Sequence, residues 1–421
     1  MNSVNTMSKQ PMRIAIITSL YAPFLTGVSI GVHHRVHWLL KQGHSVFLIH
    51  PEFNNKYPQK LSKRSMPGLE EVKSFPNFSH YAFPTQPLIF YKSLPQALSY
   101  RCWSDTELLK QFKPDVVVIE EAAQLRGFYS LYLQGYGRPI GAEYGKLTGT
   151  PTVSLFHTDI VAYIKYYLGD KFFNLVRPIL PITIKKFSEA YDYNFFSSRE
   201  QLARYQEFKS QRSEYVPYQG VDCQKFQPAN IAHDPIPDDK RPTLLFVGRI
   251  TAEKNVTQLI EAFPYIAAKI PDVHLVIIGS GPLDEEVRTL AQKYDGITIW
   301  GESYGAELQG WYARADVFVN PSTTENFCTS NNEALASGTP IVLAKAPSTS
   351  EQVTPGVNGF LAEADDPVDF ANKVITILSN PELKAQMKQQ ARESILQFDW
   401  PACMQKFEDK LYQIVRRGGF T

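Results

Sequence analysis

The chain has 421 residues, of which 43% are hydrophobic and 20% charged. It is too long for one ordinary core and too rich in apolar residues for disorder, so the composition predicts two globular domains. The formal net charge of +1 conceals an asymmetry, because residues 1–225 hold 26 Lys and Arg against 17 Asp and Glu, whereas residues 226–421 hold 17 against 25. The total alone would exclude nucleic acid or an acidic surface as a partner, but the split between the halves removes that inference; the partner expected below is nevertheless not a nucleic acid. The basic first half favours contact with an anionic membrane or phosphates, although lysines scattered over a solvated surface explain the same count.

The predicted elements alternate between strands and helices. In the first half a helix is predicted across residues 31–42, and strands are predicted at 13–18, 45–50, 115–119 and 152–156. After a Pro- and Asp-rich stretch the pattern restarts with a helix following Asn255, and with strands at 243–247, 273–278, 297–300, 317–319 and 340–343. Short apolar runs between helices are typical of parallel sheets covered on both faces. We therefore expect an α/β protein with two Rossmann-like, doubly wound parallel-sheet domains facing an interdomain cleft, where such sheets bind ligands.

The expected domains are an N-terminal one at residues 1–226, a C-terminal one at 243–395, and a last helix at 396–421 that packs back on the N-terminal domain. The best apolar run, residues 172–184, is interrupted by one Arg and two Pro, so a bilayer span is not expected. The polar start of the chain does not resemble a secretory signal, which favours a cytoplasmic location. The four cysteines are far apart in sequence, and this predicts reduced thiols.

Glycines follow the first predicted strand at Gly27 and Gly31. Glycine at a strand-to-helix turn lets backbone N–H groups approach a phosphate at the start of the helix. The spacing differs from Gly-x-Gly-x-x-Gly, so the fingerprint of a dinucleotide-binding dehydrogenase is absent. A plain tight turn explains these glycines as well as a ligand loop does.

Two basic residues, Arg249 and Lys254, follow the first strand of the second half in the pattern Gly-Arg-x-x-x-Glu-Lys. A guanidinium fork and an ammonium group together suit a dianionic ligand. A pair of basic residues on the surface is common, but this pattern directly after an apolar strand is not. The motif therefore predicts a phosphate-binding site.

Two glutamates, Glu325 and Glu333, lie eight residues apart around a polar turn and the first turn of a predicted helix. Carboxylates accept hydrogen bonds from vicinal hydroxyls, so one suits a sugar and the other a ribose, while the N–H groups of the turn face phosphate. Glutamates at this interval also occur by chance. The flanking Asn-Pro-Ser and Ala-Ser-Gly-x-Pro segments make the pattern specific.

Together these motifs resemble the family-4 retaining glycosyltransferases of the GT-B fold. The resemblance also includes Phe-Asp-Trp at residues 398–400 and spans nearly the whole chain. Within the family, residues 115–121, residues 156–165 and the turn at 326–329 are similar to plant-type digalactosyldiacylglycerol synthases. Most relatives have Gly-Phe-Gly-Leu where this chain has Asn-Phe-Cys-Thr, so the identity of the donor sugar stays open.

The resemblance implies a nucleotide-sugar donor held mainly by the second domain. The implied donor-site residues are Gly27, Arg249, Lys254, Glu325, Asn326, Phe327, Cys328, Thr329 and Glu333. Arg249 and Lys254 would hold the diphosphate, and Glu333 the ribose. Glu325 and the turn after it would hold sugar hydroxyls and phosphate, while Gly27 completes the phosphate pocket. The thiol in that turn is expected to be a small side chain in a tight turn and not a nucleophile.

His157 follows a predicted strand at the edge where a ligand crevice is expected. The resemblance places it beside the transferred sugar, whereas a lone histidine in such a position is often a satisfied structural residue. Weaker candidates for the acceptor side are Glu120, Glu121, Tyr163 and Lys165, each of which suits a plain surface position equally well.

The implied reaction transfers a glycosyl group with retained anomeric configuration. Because a phosphate leaves, catalysis would rest on charge stabilisation by Arg249, Lys254 and backbone N–H groups, with His157 and Glu325 completing the predicted catalytic set. The chain contains no Asp-x-Asp, the usual clamp for a divalent metal ion on nucleotide sugars. We therefore expect neither a metal nor another cofactor.

Residues 162–187 combine aromatic and apolar side chains with five Lys and Arg, a composition that suits the interface of an anionic bilayer. Core packing explains the apolar part equally well. With the basic first half and the resemblance, this segment predicts a peripheral enzyme on a cytoplasmic, thylakoid or plastid membrane surface. Its partners would be a nucleotide sugar, a lipid acceptor and the anionic membrane.

The predicted function is transfer of a hexose, galactose, from a UDP-sugar to a membrane glycolipid such as monogalactosyldiacylglycerol. Alternatives are sulfoquinovosyl or glucosyl transfer to another lipid, and transfer to a soluble acceptor. From other classes, a nucleotide-sugar epimerase, a dehydrogenase and a catalytically inactive sugar-binding module stay open. The missing dinucleotide fingerprint argues against the dehydrogenase, and a full set of donor-site residues argues against the inactive module.

Overall fold

The computed structural model describes residues 10–22, 26–52, 66–87, 95–97, 106–120, 141–157, 173–175, 177–207, 212–323, 327–346 and 349–418. The strands in this part of the chain form two sheets, one in each half of the sequence. The predicted two-domain α/β architecture is therefore confirmed. The domain boundaries proposed above stay predictions.

The first sheet is formed by β1 Arg13–Ile17, β2 Ser45–Glu52, β3 Phe78–Pro87, β4 Pro95–Ala97, β5 Val116–Glu120, β6 Thr152–Phe156, β7 Tyr193–Phe196 and β8 Ser213–Tyr215. The helices of this half are α1 Gly27–Lys41, α2 Leu69–Ser74, α3 Thr106–Phe112, α4 Ala142–Thr148, α5 Leu180–Glu189 and α6 Arg199–Glu207. The strand order is β4-β3-β2-β1-β5-β6-β7-β8, and all neighbouring strands run parallel except β3 and β4.

The second sheet is formed by β9 Thr243–Val247, β10 His274–Ile278, β11 Ile297–Gly301, β12 Val317–Asn320, β13 Ile341–Ala344 and β14 Gly359–Ala362. The helices of this half are α7 Val256–Ala267, α8 Asp284–Ala291, α9 Gly305–Arg314, α10 Thr329–Ala336, α11 Pro367–Leu378, α12 Pro381–Ile395 and α13 Trp400–Arg417. Short 3-10 turns cover Pro228–His233, Ala252–Lys254, Thr349–Glu351 and Leu396–Phe398. The strand order is β11-β10-β9-β12-β13-β14, and every neighbouring pair is parallel.

The central strands of both sheets are buried on both faces, which is why they read as continuous apolar runs. In β1, Ile14 and Ile16 pack into one core cluster, whereas Ala15 and Ile17 pack into the cluster on the opposite face. The second sheet repeats this arrangement on either side of β9. The apolar runs thus predict the central strands of each sheet. The strands that were not predicted from the sequence are β3, β4, β7, β8 and β14.

Helix α1 begins at Gly27, four residues before the predicted start. The reason is a reciprocal cap, in which the Thr26 side chain accepts from the backbone N–H of Ser29 at 3.2 Å and the Ser29 hydroxyl accepts from the Thr26 N–H at 2.8 Å. Gly27 therefore lies in the first helical turn, where backbone N–H groups have no partner within the helix.

The strand order reverses direction between β1 and β5 in the first sheet and between β9 and β12 in the second. Parallel sheets bind ligands in the crevice at the carboxyl ends of the strands that flank such a point. Each half of the chain therefore has one such crevice. The segments that follow the strands at these crevices carry the motifs found in the sequence.

The last helix, α13, packs on the first half of the chain, since Phe407, Leu411 and Ile414 belong to one core cluster of the first sheet. Glu408 accepts a hydrogen bond of 2.9 Å from the indole N–H of Trp38, and its other carboxylate oxygen lies 3.3 Å from Nε2 of His44. These polar contacts and the shared core fix the helix to α1 and to the edge of β2. Among the helices that the structure describes, none is long and apolar enough to cross a membrane.

Candidate active site

A cavity of about 100 Å³ lies where the two halves of the chain meet. Its lining residues are Gly27, Ile30, His34, Gln219, Gly220, Val221, Asp222, Lys225, Phe226, Thr329, Glu333 and Trp400. The first half contributes the start of α1, and the second half contributes the start of α10. Contact across the cavity is close, because a Cβ atom added to Gly27 would lie 3.6 Å from Oγ1 of Thr329. Three of the residues singled out in the sequence, Gly27, Thr329 and Glu333, thus share one cavity.

Glu333 is held at the cavity by a hydrogen bond of 2.7 Å that the hydroxyl of Tyr312 donates to its Oε2. Burial raises the pKa of Glu333 to about 7, although the Tyr312 hydrogen bond and the nearby Lys225 ammonium both oppose the shift. A partly buried carboxylate with one oxygen engaged can accept from the hydroxyls of a ribose or another vicinal diol through its other oxygen. Ligand hydroxyls would favour the ionised form and lower the pKa again.

The turn before α10 is fixed by amide side chains. The carboxamide of Asn320 donates to Asn331 Oδ1 at 2.9 Å and lies 3.4 Å from the sulfur of Cys328. Gln352 donates to Asn332 Oδ1 at 2.8 Å and to the carbonyl of Cys328 at 3.3 Å. Cys328 is 5% exposed, so its thiol fills space in this turn. The N–H groups at the start of α10 are thereby held beside the cavity in the manner of an anion site.

Two of the predicted donor-site residues, Glu325 and Asn326, lie outside the described residues. Phe327 is half-buried and meets the ring of Phe398 at 6.5 Å between centroids. This contact joins the turn to the segment that precedes α13.

Arg249 and Lys254 follow β9, the strand next to β12 in the second sheet. The guanidinium of Arg249 lies 3.0 Å from the carboxylate of Glu253, and half of the Arg249 side chain is exposed. Ser322 donates to the Glu253 carbonyl at 3.0 Å, which joins this loop to the segment after β12. Neither cation is among the described residues that line the 100 Å³ cavity. Their assignment to the diphosphate therefore stays a prediction.

Two glycines after β10 allow the loop that carries Arg249 to approach closely. A Cβ atom on Gly279 would lie 1.8 Å from the carbonyl oxygen of Gly248, and one on Gly281 would lie 2.1 Å from that of Ile250. No side chain can be accommodated at such distances, so glycine is required at both positions. The loops after β9 and β10 are thereby packed backbone to backbone.

His157 is held in a buried polar network, not in the open cavity. Its Nε2 lies 2.6 Å from Glu120, and its Nδ1 lies 2.7 Å from the carboxamide nitrogen of Gln219. Glu120 in turn accepts two hydrogen bonds of 2.6 Å from Arg35. Burial opposes ionisation of Glu120, but the charge of Arg35 and the contact with His157 outweigh it and lower the pKa of the carboxyl.

Of the four acceptor-side candidates, Glu120 lies in the part of the chain that the structure describes. Glu120 is fully buried and supports His157, so it does not face an acceptor directly. Glu121, Tyr163 and Lys165 lie outside the described residues.

Several residues of the candidate site were not predicted from the sequence as site residues. Lys225 and Gln219 line the cavity and lie on the crossing between the halves, residues 219–226. Tyr312 holds Glu333 from α9, whose sequence carries no motif. Trp400 was noted only as part of a family motif; its indole stacks on the His34 ring with centroids 4.3 Å apart. The sequence signal on the crossing is Gly220. In the structure, an added Cβ atom there would lie 3.0 Å from the Trp400 ring, which explains the glycine.

Residues 229–394 match the model of the family "Glycosyl transferases group 1". The matched range begins just after the crossing and covers the second sheet, α10 and Glu333. With the GT-B fold described below, this finding supports a group 1 glycosyltransferase. The predicted enzyme class, a glycosyltransferase, is therefore supported, whereas the hexose type and the retaining mechanism stay predictions.

The chain is 28% identical over 340 residues to the sulfoquinovosyl transferase SQD2 of Arabidopsis thaliana, covering 77% of this chain. It spans 62% of that protein, which is less than two thirds of its length. It is also 23% identical over 386 residues to the alpha-monoglucosyldiacylglycerol synthase of Streptococcus pneumoniae, covering 88% of this chain and 80% of that enzyme. GDP-mannose-dependent alpha-mannosyltransferases of Mycolicibacterium smegmatis and Mycobacterium tuberculosis are further proteins similar to this chain.

The solved structure of Anabaena Alr3699/HepE in complex with UDP superposes with a TM-score of 0.71 at 15% identity. The superposition covers 96% of this chain and all of the other. At this level of identity the likeness shows the fold alone. The predicted GT-B fold is therefore confirmed.

Proposed function

We propose that this group 1 glycosyltransferase moves a hexose, galactose, from a UDP-sugar to a membrane glycolipid such as monogalactosyldiacylglycerol, with retention at the anomeric carbon. The observation that carries the proposal is the cavity shared by the starts of α1 and α10, with the Glu333 carboxylate beside it. Two helix starts facing one cavity suit a phosphate group, and a carboxylate suits a ribose diol. One ligand that offers both is a nucleoside diphosphate.

In the proposed reaction, the bond between the anomeric carbon and the diphosphate oxygen breaks. A bond from the same carbon to the acceptor hydroxyl oxygen forms on the same face of the sugar, and the hydroxyl proton ends on the departing phosphate. Negative charge therefore develops on the leaving group. Arg249, Lys254 and the N–H groups of the α10 turn would stabilise that charge in place, which is the largest contribution such a site can make.

The nature of the acceptor is inferred from relatives and from one surface. The alpha-monoglucosyldiacylglycerol synthase of Streptococcus pneumoniae carries a diacylglycerol product in its name. Exposed apolar and basic residues also occur together around the start of α5. This apolar-basic surface consists of Leu175, Arg177, Ile179, Ile182, Lys185 and Lys186. Exposed apolar side chains beside cations suit the interface of an anionic bilayer, so we propose that the enzyme works at a membrane surface.

A second candidate is transfer of a different sugar to another lipid, which the names of the sulfoquinovosyl and glucosyldiacylglycerol relatives favour. The deciding experiment incubates the purified protein with UDP-galactose, UDP-glucose, UDP-sulfoquinovose or GDP-mannose. Each donor is offered with vesicles containing monogalactosyldiacylglycerol, diacylglycerol or no acceptor lipid, and lipid products are identified by mass and by anomeric NMR signals.

We expect one added hexose from UDP-galactose on monogalactosyldiacylglycerol, with the α configuration retained and UDP released only when acceptor is present. Transfer of another sugar would establish the second candidate. Interconversion of the nucleotide sugars without an acceptor would point to an epimerase and overturn the proposal.

A further inference from the structure

Gln219 connects the interdomain cavity to the buried network around His157. It lines the cavity together with Gly27 and Glu333, and its carboxamide nitrogen lies 2.7 Å from Nδ1 of His157. The His157 side chain is 2% exposed and is not among the described residues that line the cavity. A ligand in the cavity therefore meets Gln219 before it meets His157.

The two partners of His157 define one tautomer. An ionised carboxylate only accepts hydrogen bonds, so Nε2, at 2.6 Å from Glu120, carries the proton. A carboxamide nitrogen only donates, so Nδ1 is unprotonated and accepts from Gln219. Arg35 holds the Glu120 carboxylate through two hydrogen bonds of 2.6 Å and donates to the Tyr218 carbonyl at 2.5 Å. The ring is thereby fixed from both sides.

We propose that Gln219 is a positioning residue, which holds the His157 ring neutral with Nε2 protonated and fixes it behind the wall of the glycosyl-transfer cavity. The kinetic consequence of this inference rests on the proposed function. The assignment of the tautomer does not, because it follows from the contacts of the imidazole alone.

Gly31 on α1 is the steric counterpart of Gln219. A Cβ atom at this position would lie 2.8 Å from Oε1 of Gln219 and 3.3 Å from Nη2 of Arg35. The first contact is with the end of a flexible side chain, so Gly31→Ala would displace the carboxamide and leave the backbone in place. Alanine is also the better helix former. This variant therefore moves Gln219 without removing it.

The first test reads the tautomer directly, without substrate. In protein labelled with 15N-histidine, the ring signals of His157 are assigned by their loss in His157→Gln. We expect one protonated and one unprotonated nitrogen in the wild type at pH 7. In Gln219→Glu the new carboxylate accepts instead of donating, so we expect both ring nitrogens to be protonated. A protonated Nδ1 in the wild type would overturn the proposal, whatever reaction the enzyme performs.

The second test uses turnover with the donor and acceptor identified by the experiment above. Gln219→Met keeps the length of the side chain but removes the donor, and we expect kcat to fall about 10- to 100-fold with a smaller change in the donor KM. Gln219→Glu keeps a polar side chain of the same length but accepts a hydrogen bond instead of donating one, so we expect it not to restore kcat. A residue that only fills space would tolerate both replacements. Wild-type kcat in Gln219→Met would contradict the proposal.

A double-mutant cycle tests whether Gly31 acts through Gln219. Gly31→Ala should lower kcat in the wild-type background, while the melting temperature stays the same or rises. In the Gln219→Ala background, the side chain that the new methyl group displaces is absent, so Gly31→Ala should change kcat less than twofold. Equal effects in both backgrounds would show that Gly31 acts independently of Gln219 and would count against the inference.

Discussion

The carboxylate of Glu351 accepts a hydrogen bond of 2.6 Å from the backbone N–H of Glu200, at the start of α6 in the other half of the chain. The same carboxylate accepts from the Ser198 hydroxyl at 2.9 Å and from the Arg199 N–H at 3.1 Å. A negative charge is favourable at the start of a helix, where N–H groups lack partners. One half of the molecule thus caps a helix of the other. Gln352, the next residue, holds the α10 turn, so this cap lies directly beside the candidate donor site.

We expect Glu351→Gln to weaken the contact between the halves. Losing the charge at the α6 start should lower the free energy of unfolding by about 1 kcal/mol. It should also increase the radius of gyration of the ligand-free protein in X-ray scattering. The matched control is Glu363→Gln, which neutralises an exposed glutamate paired with Lys345 on the surface. Scattering curves identical to those of the control would show that the cap does not hold the halves together.

Glu333 should make stability depend on pH. Its pKa rises from 4.5 to about 7 on folding, so between these values the folded state holds a proton that the unfolded state has released. Stability should therefore decrease as pH rises from about 4.5 to 7 and stay lower above that, by at most about 3 kcal/mol. Glu333→Gln removes this titration. Urea unfolding at pH 5 and pH 8 should show a smaller loss in the variant than in the wild type; parallel losses would contradict the assigned shift.

Lys254→Ala should abolish most turnover while the protein stays folded. If its ammonium group stabilises the departing diphosphate, its removal should lower kcat by about 100-fold or more, the usual cost of losing one such group. UDP release in the presence of acceptor measures the rate, and circular dichroism checks the fold. Lys269→Ala, at an exposed position after α7, is the control. A near-normal rate in Lys254→Ala would mean that the diphosphate is bound elsewhere.

Removal of divalent metal ions should leave the activity unchanged. Arg249, Lys254 and the N–H groups at the start of α10 are expected to supply the positive potential that a metal ion provides in other sites. Turnover should therefore be the same within twofold before and after dialysis against EDTA, and added Mg²⁺ should not raise it. Loss of activity on chelation, with recovery on adding Mg²⁺ back, would overturn this expectation.

The apolar-basic surface should govern binding to vesicles. Ile179 and Ile182 are each 56% exposed, and their insertion into a bilayer would remove apolar area from water. The double substitution to Ser should weaken sedimentation with phosphatidylglycerol vesicles by about tenfold or more. The control is Leu147→Ser, which changes a 66% exposed leucine on α4. Equal weakening by this control would locate the membrane contact elsewhere.

The sequence predicted the central strands because a strand buried on both faces must be apolar at every position. The run at β1 is an example, with Ile14 and Ile16 on one face and Ile17 on the other. Edge strands such as β8 are only partly buried, so their composition carries no such signal. The start of α1 was missed by four residues because the cap formed by Thr26 and Ser29 was overlooked, although its residue types are visible in the sequence.

The strand pattern predicted which residues lie at the two crevices, because in a parallel sheet the order of residues along the chain fixes the edge at which each following segment emerges. It thereby singled out Gly27, Thr329 and Glu333, which the structure brings to one cavity. The enclosure of His157 by Glu120 and Gln219 was not predictable from the sequence, because it depends on long-range packing. The residues that these two hydrogen bonds join are separated in sequence by 37 and by 62 positions. Their contact depends on how the strands and the crossing pack in space, which local sequence patterns do not record.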